Sequence, residues 1–184
     1  AVVSNNAIAI ADKNNEVVMQ MFKDDQVATI SKVDGLWVVG DSVILGIRNV
    51  LDAKSHIGLI NARVGRQAGE LLSVIQHDKS KMAGMKTVLN LGNNNRLTSS
   101  EVEAIFLELK DQPLVIVVNT AVPRSWRDEN NRLIETIAAN YPNIRIVDWA
   151  LKSENHPEYF APDGVHLIPA GIAAYVSAIT DYLY

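Results

Sequence analysis

The sequence predicts a three-layer α/β/α sandwich around a five-stranded parallel sheet, and three observations predict it. Five short apolar runs rich in β-branched residues recur at similar spacing, segments of helical period separate them, and short polar loops join the two. The alternation of strand and helix implies right-handed βαβ crossovers. In such sheets, ligand sites form at the carboxyl ends of the strands.

The five runs are residues 36–39, 57–60, 87–91, 114–118 and 144–147. Both faces of each are apolar, as expected of strands covered by helices on two sides. After the third run, Thr98-Ser-Ser-Glu101 forms a capping box that opens a helix carrying Val102, Ile105, Phe106 and Leu109 inward. A further helix is predicted over about 126–140, with Leu133, Ile134 and Ile137 inward. The last starts near Pro169, a residue suited to a first turn, and its stripe is Ile172, Tyr175, Val176, Ile179 and Leu183. Residues 1–33 fit this plan poorly, because Asn5-Asn6, Lys13-Asn14-Asn15 and Lys23-Asp24-Asp25 interrupt short apolar stretches. They read as a linker or tether that includes a helix or an edge element, ahead of one catalytic domain over 34–184.

Composition narrows the function. With 184 residues and 48 % hydrophobic, the chain can fill one core. A charged fraction of 21 % and a net charge of -4 leave no basic footprint for nucleic acid. The absence of cysteine excludes disulfides, thiolate metal sites and a cysteine nucleophile. No apolar run is long enough to span a bilayer, and no signal peptide opens the chain, which is expected to be a mature product or part of a longer protein. There is no G-x-G-x-x-G after the first strand, no phosphate-binding G-x-x-x-x-G-K-[ST], no G-x-S-x-G elbow and no H-E-x-x-H. Neither a metal nor a cofactor is expected.

The first strand runs into Gly40-Asp41-Ser42 and then an apolar stretch that starts a helix. A serine there sits at a strand end and a helix N-terminus, where backbone N–H groups can receive a developing oxyanion. Asp163-Gly164-Val165-His166 precedes the last helix, so one loop presents a histidine able to take a serine proton and a carboxylate able to orient it. Gly65, after the second strand, can offer its N–H at close range because it lacks a Cβ. The run Gly92-Asn93-Asn94-Asn95, after the third strand, can offer a side-chain amide. Each piece alone is an ordinary turn or cap; their order and common side of the sheet point to serine acyl transfer. Asp41 reads as a structural hydrogen-bonding residue, and His56, His77 and His156 as surface or loop residues without a partner at useful spacing.

The order Ser, Gly, Asn, Asp-x-x-His resembles the block pattern of the SGNH, or GDSL-like, hydrolases, whose sheet is flavodoxin-like. The resemblance implies Ser42 as nucleophile and first oxyanion donor, Gly65 as second donor, Asn94 as third, and Asp163 with His166 completing the triad. The family motif reads G-x-N-[D/G], and Asn95 departs from it in the last position. From Trp37 onward, G-D-S-V-I-L-G, N-A-R-V-G-R-Q, V-N-T-A-V-P-R-S-W and H-P-E-Y-F-A-P-D-G-V-H-L-I-P-A-G look like the extracytoplasmic C-terminal domain of Gram-positive peptidoglycan O-acetyltransferases of the OatA type.

That likeness implies an acetyl group delivered by an upstream membrane acyltransferase domain, which also tethers the protein at the cell surface, and transfer onto the C6 hydroxyl of muramoyl residues in glycan strands. Arg63, Asn95, Arg124 and Trp126 lie where they could contact substrate, Trp126 as a flat face for a sugar. Three alternatives stand beside this reading: a carbohydrate esterase, acetylation of N-acetylglucosaminyl residues instead, and a glycan-binding domain without catalysis. A transferase gives acetylated oligosaccharide in excess over acetate, an esterase gives acetate alone, and a binding module has no need of a paired aspartate and histidine.

Overall fold

The computed structural model describes residues 34–184 and, by backbone alone, 8–12, 17–22 and 26–31. Its central sheet is parallel, with β4 (Leu36–Gly40), β5 (Ile57–Ala62), β6 (Thr87–Asn90), β7 (Val115–Val118) and β8 (Ile144–Val147) in the order β5-β4-β6-β7-β8. All five predicted strands are present and parallel. The rest of the segment 1–33, expected to be a linker, lies outside the described residues. Its three described strands, β1 (Ile8–Asp12), β2 (Val17–Phe22) and β3 (Gln26–Ser31), extend the sheet in the order β1-β2-β3-β5, with each pair antiparallel.

Each parallel strand sends successive side chains to opposite faces, so each face receives its own apolar layer. Leu36 and Val38 point to the layer that holds Val43, Ile44, Ile47 and Leu51 of helix α1 (Ser42–Ser55) and Tyr175, Val176 and Ile179 of α6 (Pro169–Thr180). Trp37 and Val39 point to the layer filled from α2 (Ala68–Asp78), α3 (Ser99–Glu108) and α4 (Arg127–Ala138). The predicted capping box is formed: Thr98 accepts from the Glu101 N–H, and Glu101 accepts from the Thr98 N–H. The predicted helix over about 126–140 is α4, and Pro169 opens α6. A short helix, α5 (Trp149–Lys152), follows β8 and packs Trp149 edge-on against Tyr175.

The chain passes from β4 to β5 on one side and then crosses to β6 on the other. The crevice between the carboxyl ends of β4 and β6 is therefore the topological switch point, where open α/β sheets bind ligands. Asp41 and Asn90 close its floor: the Asp41 N–H donates to Asn90 Oδ1 at 3.1 Å, and Asn90 Nδ2 returns a bond to Asp41 Oδ1 at 2.6 Å.

Candidate active site

Ser42 is the first residue of α1, directly after Asp41, whose side chain caps the helix by accepting from the Val43 N–H at 2.9 Å. The cap fixes the serine over the switch point. Across the crevice, His166 Nε2 lies 2.9 Å from Ser42 Oγ, and His166 Nδ1 lies 2.5 Å from Asp163 Oδ2. An ionised carboxylate can only accept, so Nδ1 carries the proton and Nε2 is left to accept the serine hydroxyl proton. The predicted triad is thus one continuous chain of hydrogen bonds.

The loop that carries it is tightly tied. Gly164 sits at φ +70°, which lets Asp163 Oδ1 accept from the backbone N–H groups of both Val165 and His166 at 2.9 and 3.0 Å. Beyond the turn, the Ala161 N–H donates to the His166 carbonyl, and the Ile168 N–H to that of Tyr159. The hydrogen bond from His166, with the two backbone N–H bonds, holds the Asp163 carboxyl down to about 2. It is therefore ionised at any pH well above that value. Both side chains remain about half exposed, at 50 % for His166 and 47 % for Asp163.

Around the serine the oxyanion candidates take different postures. Gly65, at φ +71°, lies in a turn closed by the Arg66 N–H donating to the Arg63 carbonyl at 3.3 Å. Asn94 approaches from the β6 side, but Nδ2 is engaged twice, by Asp41 Oδ2 at 2.8 Å and the Arg66 carbonyl at 3.0 Å. Asn93 Nδ2 also bonds Asp41 Oδ2, at 2.9 Å. The Asp41 carboxylate, 5 % exposed, therefore gathers four N–H donors: Val43, Asn90, Asn93 and Asn94. Its structural reading from sequence agrees with this geometry, and its reach is wider than a helix cap.

Among the residues expected to touch substrate, Arg63 is held by Glu70 at 2.9 Å, and Asn95 Oδ1 accepts from the Ala68 N–H at the start of α2. Arg124 is exposed, and Trp126 stands half-buried as the N-cap of α4. The histidines outside the triad do have partners, contrary to the sequence reading: His56 faces Asp52, His77 bonds Asp78 and His156 bonds Glu158. Each is a local acid neighbour rather than part of the triad. Among the described residues no group of three or more His, Cys, Asp or Glu could hold a metal.

Two supporting residues went unnoticed in the sequence. Asn130, fully buried, donates to the carbonyls of Gly92 and Asn95 and accepts from the Leu97 N–H, so it moulds the loop that presents Asn93 and Asn94. It lies four residues before Ile134, on the inward stripe of α4, and a polar residue on an apolar stripe is the signal that could have found it. Asn90, buried at the carboxyl end of β6, is the other.

The chain is 36 % identical over 146 residues to the peptidoglycan O-acetyltransferase OatA of Listeria monocytogenes and 34 % identical over 148 residues to the O-acetyltransferase OatA of Staphylococcus aureus, matches that cover 79 % of this chain. It spans only 23 to 24 % of the length of those relatives. The structure superposes on the C-terminal catalytic domain of Streptococcus pneumoniae OatA with a TM-score of 0.65 and 26 % identity, covering 82 % of this chain and 92 % of that one. This chain is a homologue of the OatA-type catalytic domain. No family model matches it. The fold is also that of the acetylxylan esterase Axe2 of Geobacillus stearothermophilus, which superposes on this chain with a TM-score of 0.64 at 17 % identity, covering 79 % of this chain and 92 % of Axe2.

Proposed function

We propose that this domain is an O-acetyltransferase that carries an acetyl group on Ser42 and passes it to the C6 hydroxyl of muramoyl residues in peptidoglycan. The observation that carries the reading is the unbroken hydrogen-bond chain from Asp163 through His166 to Ser42. The names of the relatives supply the acyl group and the polymer. Ser42 Oγ attacks the carbonyl carbon of an acetyl ester as its proton moves to His166 Nε2. His166 returns that proton to the departing alcohol, and acetyl-Ser42 remains. The sugar hydroxyl then attacks the acetyl carbon, its proton passes to His166, and the C–O bond to Ser42 breaks as Oγ takes the proton back.

The tetrahedral oxyanion of each step is held by the N–H groups of Ser42 and Gly65 and by Asn94. To donate there, one Asn94 N–H leaves the Arg66 carbonyl while the other stays on Asp41. Arg124 and Trp126 are the side chains best exposed for sugar contacts, and Arg63 and Asn95 would reach substrate only by releasing Glu70 and α2. The acetyl donor comes from an upstream membrane acyltransferase domain that also tethers the catalytic domain outside the cell, in keeping with the greater length of the relatives.

An esterase is the second reading, favoured by the half-exposed His166, which leaves water a path to the acyl-enzyme. The test incubates the domain and its Ser42→Ala variant with an activated acetyl ester and either a muroglycan or a chitooligosaccharide, with products identified by mass spectrometry. Acetylated muroglycan that vanishes with Ser42→Ala supports the transferase; acetylated chitooligosaccharide alone moves the acceptor to the glucosaminyl residue. Ser42-dependent acetate without acetylated sugar makes the domain an esterase. No Ser42-dependent product leaves a glycan-binding domain.

A further inference from the structure

Arg66 is a charged side chain placed where the mechanism makes no use of it. It is only 6 % exposed, and burial pushes its guanidinium down from its ordinary value, with Arg63 adding to the push and Glu70, Asp78 and Asp41 opposing it. A buried guanidinium pays a desolvation penalty that an apolar side chain of similar volume avoids, so its bonds have to account for its presence. Nη1 and Nη2 do so with unusual reach, while the buried Nε–H has no partner among the described residues. Nη1 donates to the Gly40 carbonyl at 3.4 Å and to the Asn61 carbonyl at 2.8 Å, and Nη2 donates to Asn61 Oδ1 at 2.9 Å. Asn61 is anchored in turn, because its Nδ2 donates to the buried Asp78 Oδ2 at 2.9 Å.

The main chain of the same residue completes the pattern. Its N–H closes the turn that contains Gly65, and its carbonyl accepts the Asn94 amide. Arg66 thus touches the strand end that leads into Ser42, the turn that presents Gly65, and the asparagine that arrives from β6. Those are the three chain segments that carry the proposed oxyanion donors.

We infer that Arg66 is a positioning residue of the oxyanion hole: its planar fork ties the Gly65 turn to Gly40 and Asn61, against the nucleophile turn, and the main chain it anchors holds the Asn94 amide beside Ser42 until the oxyanion forms. The inference rests on the serine acyl-transfer reading above. It differs from a simpler role in which Arg66 only neutralises the buried carboxylates of Asp41 and Asp78. A lysine would keep that charge but cannot reproduce the fork on Gly40 and Asn61. Misplacing a catalytic group by about 1 Å can cost about 10²-fold in rate, and this sets the size of the effect sought.

The experiment measures turnover of 4-nitrophenyl acetate by wild type, Arg66→Lys and Ser42→Ala, together with inhibition by methylboronic acid, whose tetrahedral adduct on the serine calls on the same donors. Arg66→Lys is expected to lose about 10²-fold in kcat with KM within about threefold of wild type, and to lose boronate affinity by a comparable factor. Wild-type kcat in Arg66→Lys would show that charge alone matters and overturns the inference, as would a fall in kcat with boronate affinity unchanged. If Arg66→Lys fails to fold, Asn61→Ala removes the Nη2 acceptor and keeps the charge; a drop of about tenfold in kcat sustains the inference and an unchanged kcat overturns it. Ester turnover that survives in Ser42→Ala would instead refute the serine reading itself, whatever the Arg66 variants do.

Discussion

Asp41→Asn is the most informative single change, because it keeps the shape of the side chain and removes only its capacity to accept on both oxygens. In the native site Oδ1 accepts from the Val43 N–H and Asn90 Nδ2, and Oδ2 accepts from Asn93 Nδ2 and Asn94 Nδ2. An amide at position 41 turns one of those oxygens into a donor, so two of the four N–H groups face another N–H in either orientation. Putting the new NH₂ on the Oδ1 side would uncap α1 and break the reciprocal pair with Asn90, which the buried backbone cannot relieve. Putting it on the Oδ2 side is cheaper, because Asn93 and Asn94 can flip their own amides and accept instead. A flipped Asn94 points its carbonyl toward Asp41 and no longer holds its N–H where the oxyanion needs it. The loss of charge-assisted bonds costs about 1–3 kcal/mol of stability, which lowers the midpoint by roughly 5 °C in a domain of this size. Losing one oxyanion donor lowers kcat on an activated acetyl ester by about 10²–10³-fold. Calorimetry and ester kinetics on the same preparation separate the two effects. A variant whose midpoint falls while kcat stays within about threefold of wild type would leave Asp41 as a helix cap only and refute its role in aligning the asparagines.

Asp163→Asn removes the acceptor that fixes the His166 tautomer, and kcat should fall by about 10⁴-fold with little change in KM, read from steady-state kinetics. In the wild type, Asp163 has a folded-state value depressed to about 2, so its ionised form is fully in place above its ordinary carboxylate value and is lost only as pH falls toward 2. Asp163 therefore adds no proton to the acid limb of kcat/KM above its ordinary carboxylate value, which a pH profile checks; a two-proton slope in that range would contradict it. Asn130→Ala strands the carbonyls of Gly92 and Asn95 and the N–H of Leu97, for a loss of about 3 kcal/mol, measurable by denaturant titration. Gly171→Ala places a Cβ 2.0 Å from the Tyr159 carbonyl oxygen, which also accepts the Ile168 N–H beside the triad loop. It should cost about 3 kcal/mol and depress activity together with stability.

The sheet was legible because its inner parallel strands are short, mainly apolar on both faces and bounded by polar turns, while the last strand, β8, breaks the pattern with exposed Arg145. The triad was legible for a different reason: Ser42 and the Asp163-to-His166 loop each sit at a boundary between elements, where side-chain type has to serve both the turn and the chemistry. The scaffolding beneath was harder to see. Arg66 reads as one more charge in a basic loop, and nothing local distinguishes it from Arg63, although one is buried under the nucleophile turn and the other is paired with Glu70 on the surface. Which of Asn93, Asn94 and Asn95 turns inward depends on Asp41, Ala68 and Asn130, all distant in sequence. Long-range hydrogen bonds of this kind leave no periodicity to read.

The same division explains how an open site can be accurate. His166 and Asp163 stay about half exposed, while Asp41, Asn90, Arg66 and Asn130, on which the nucleophile turn and the asparagine loop rest, are buried. Rigidity is thus supplied from below, and the upper side remains open, as the proposed polymeric acceptor requires. That exposure also lets water approach the acyl-enzyme, since nothing in the triad distinguishes a water from a sugar hydroxyl as the second nucleophile. On the proposed acetyl transfer, selection between them would arise from occupancy: a glycan strand bound across the cleft would displace water and place its hydroxyl beside His166, and the triad would deprotonate whichever nucleophile is there. A site built this way would transfer when a polymer is bound and hydrolyse when it is not, so on the proposed function the balance between transferase and esterase would lie in the residues that bind sugar rather than in those that do the chemistry.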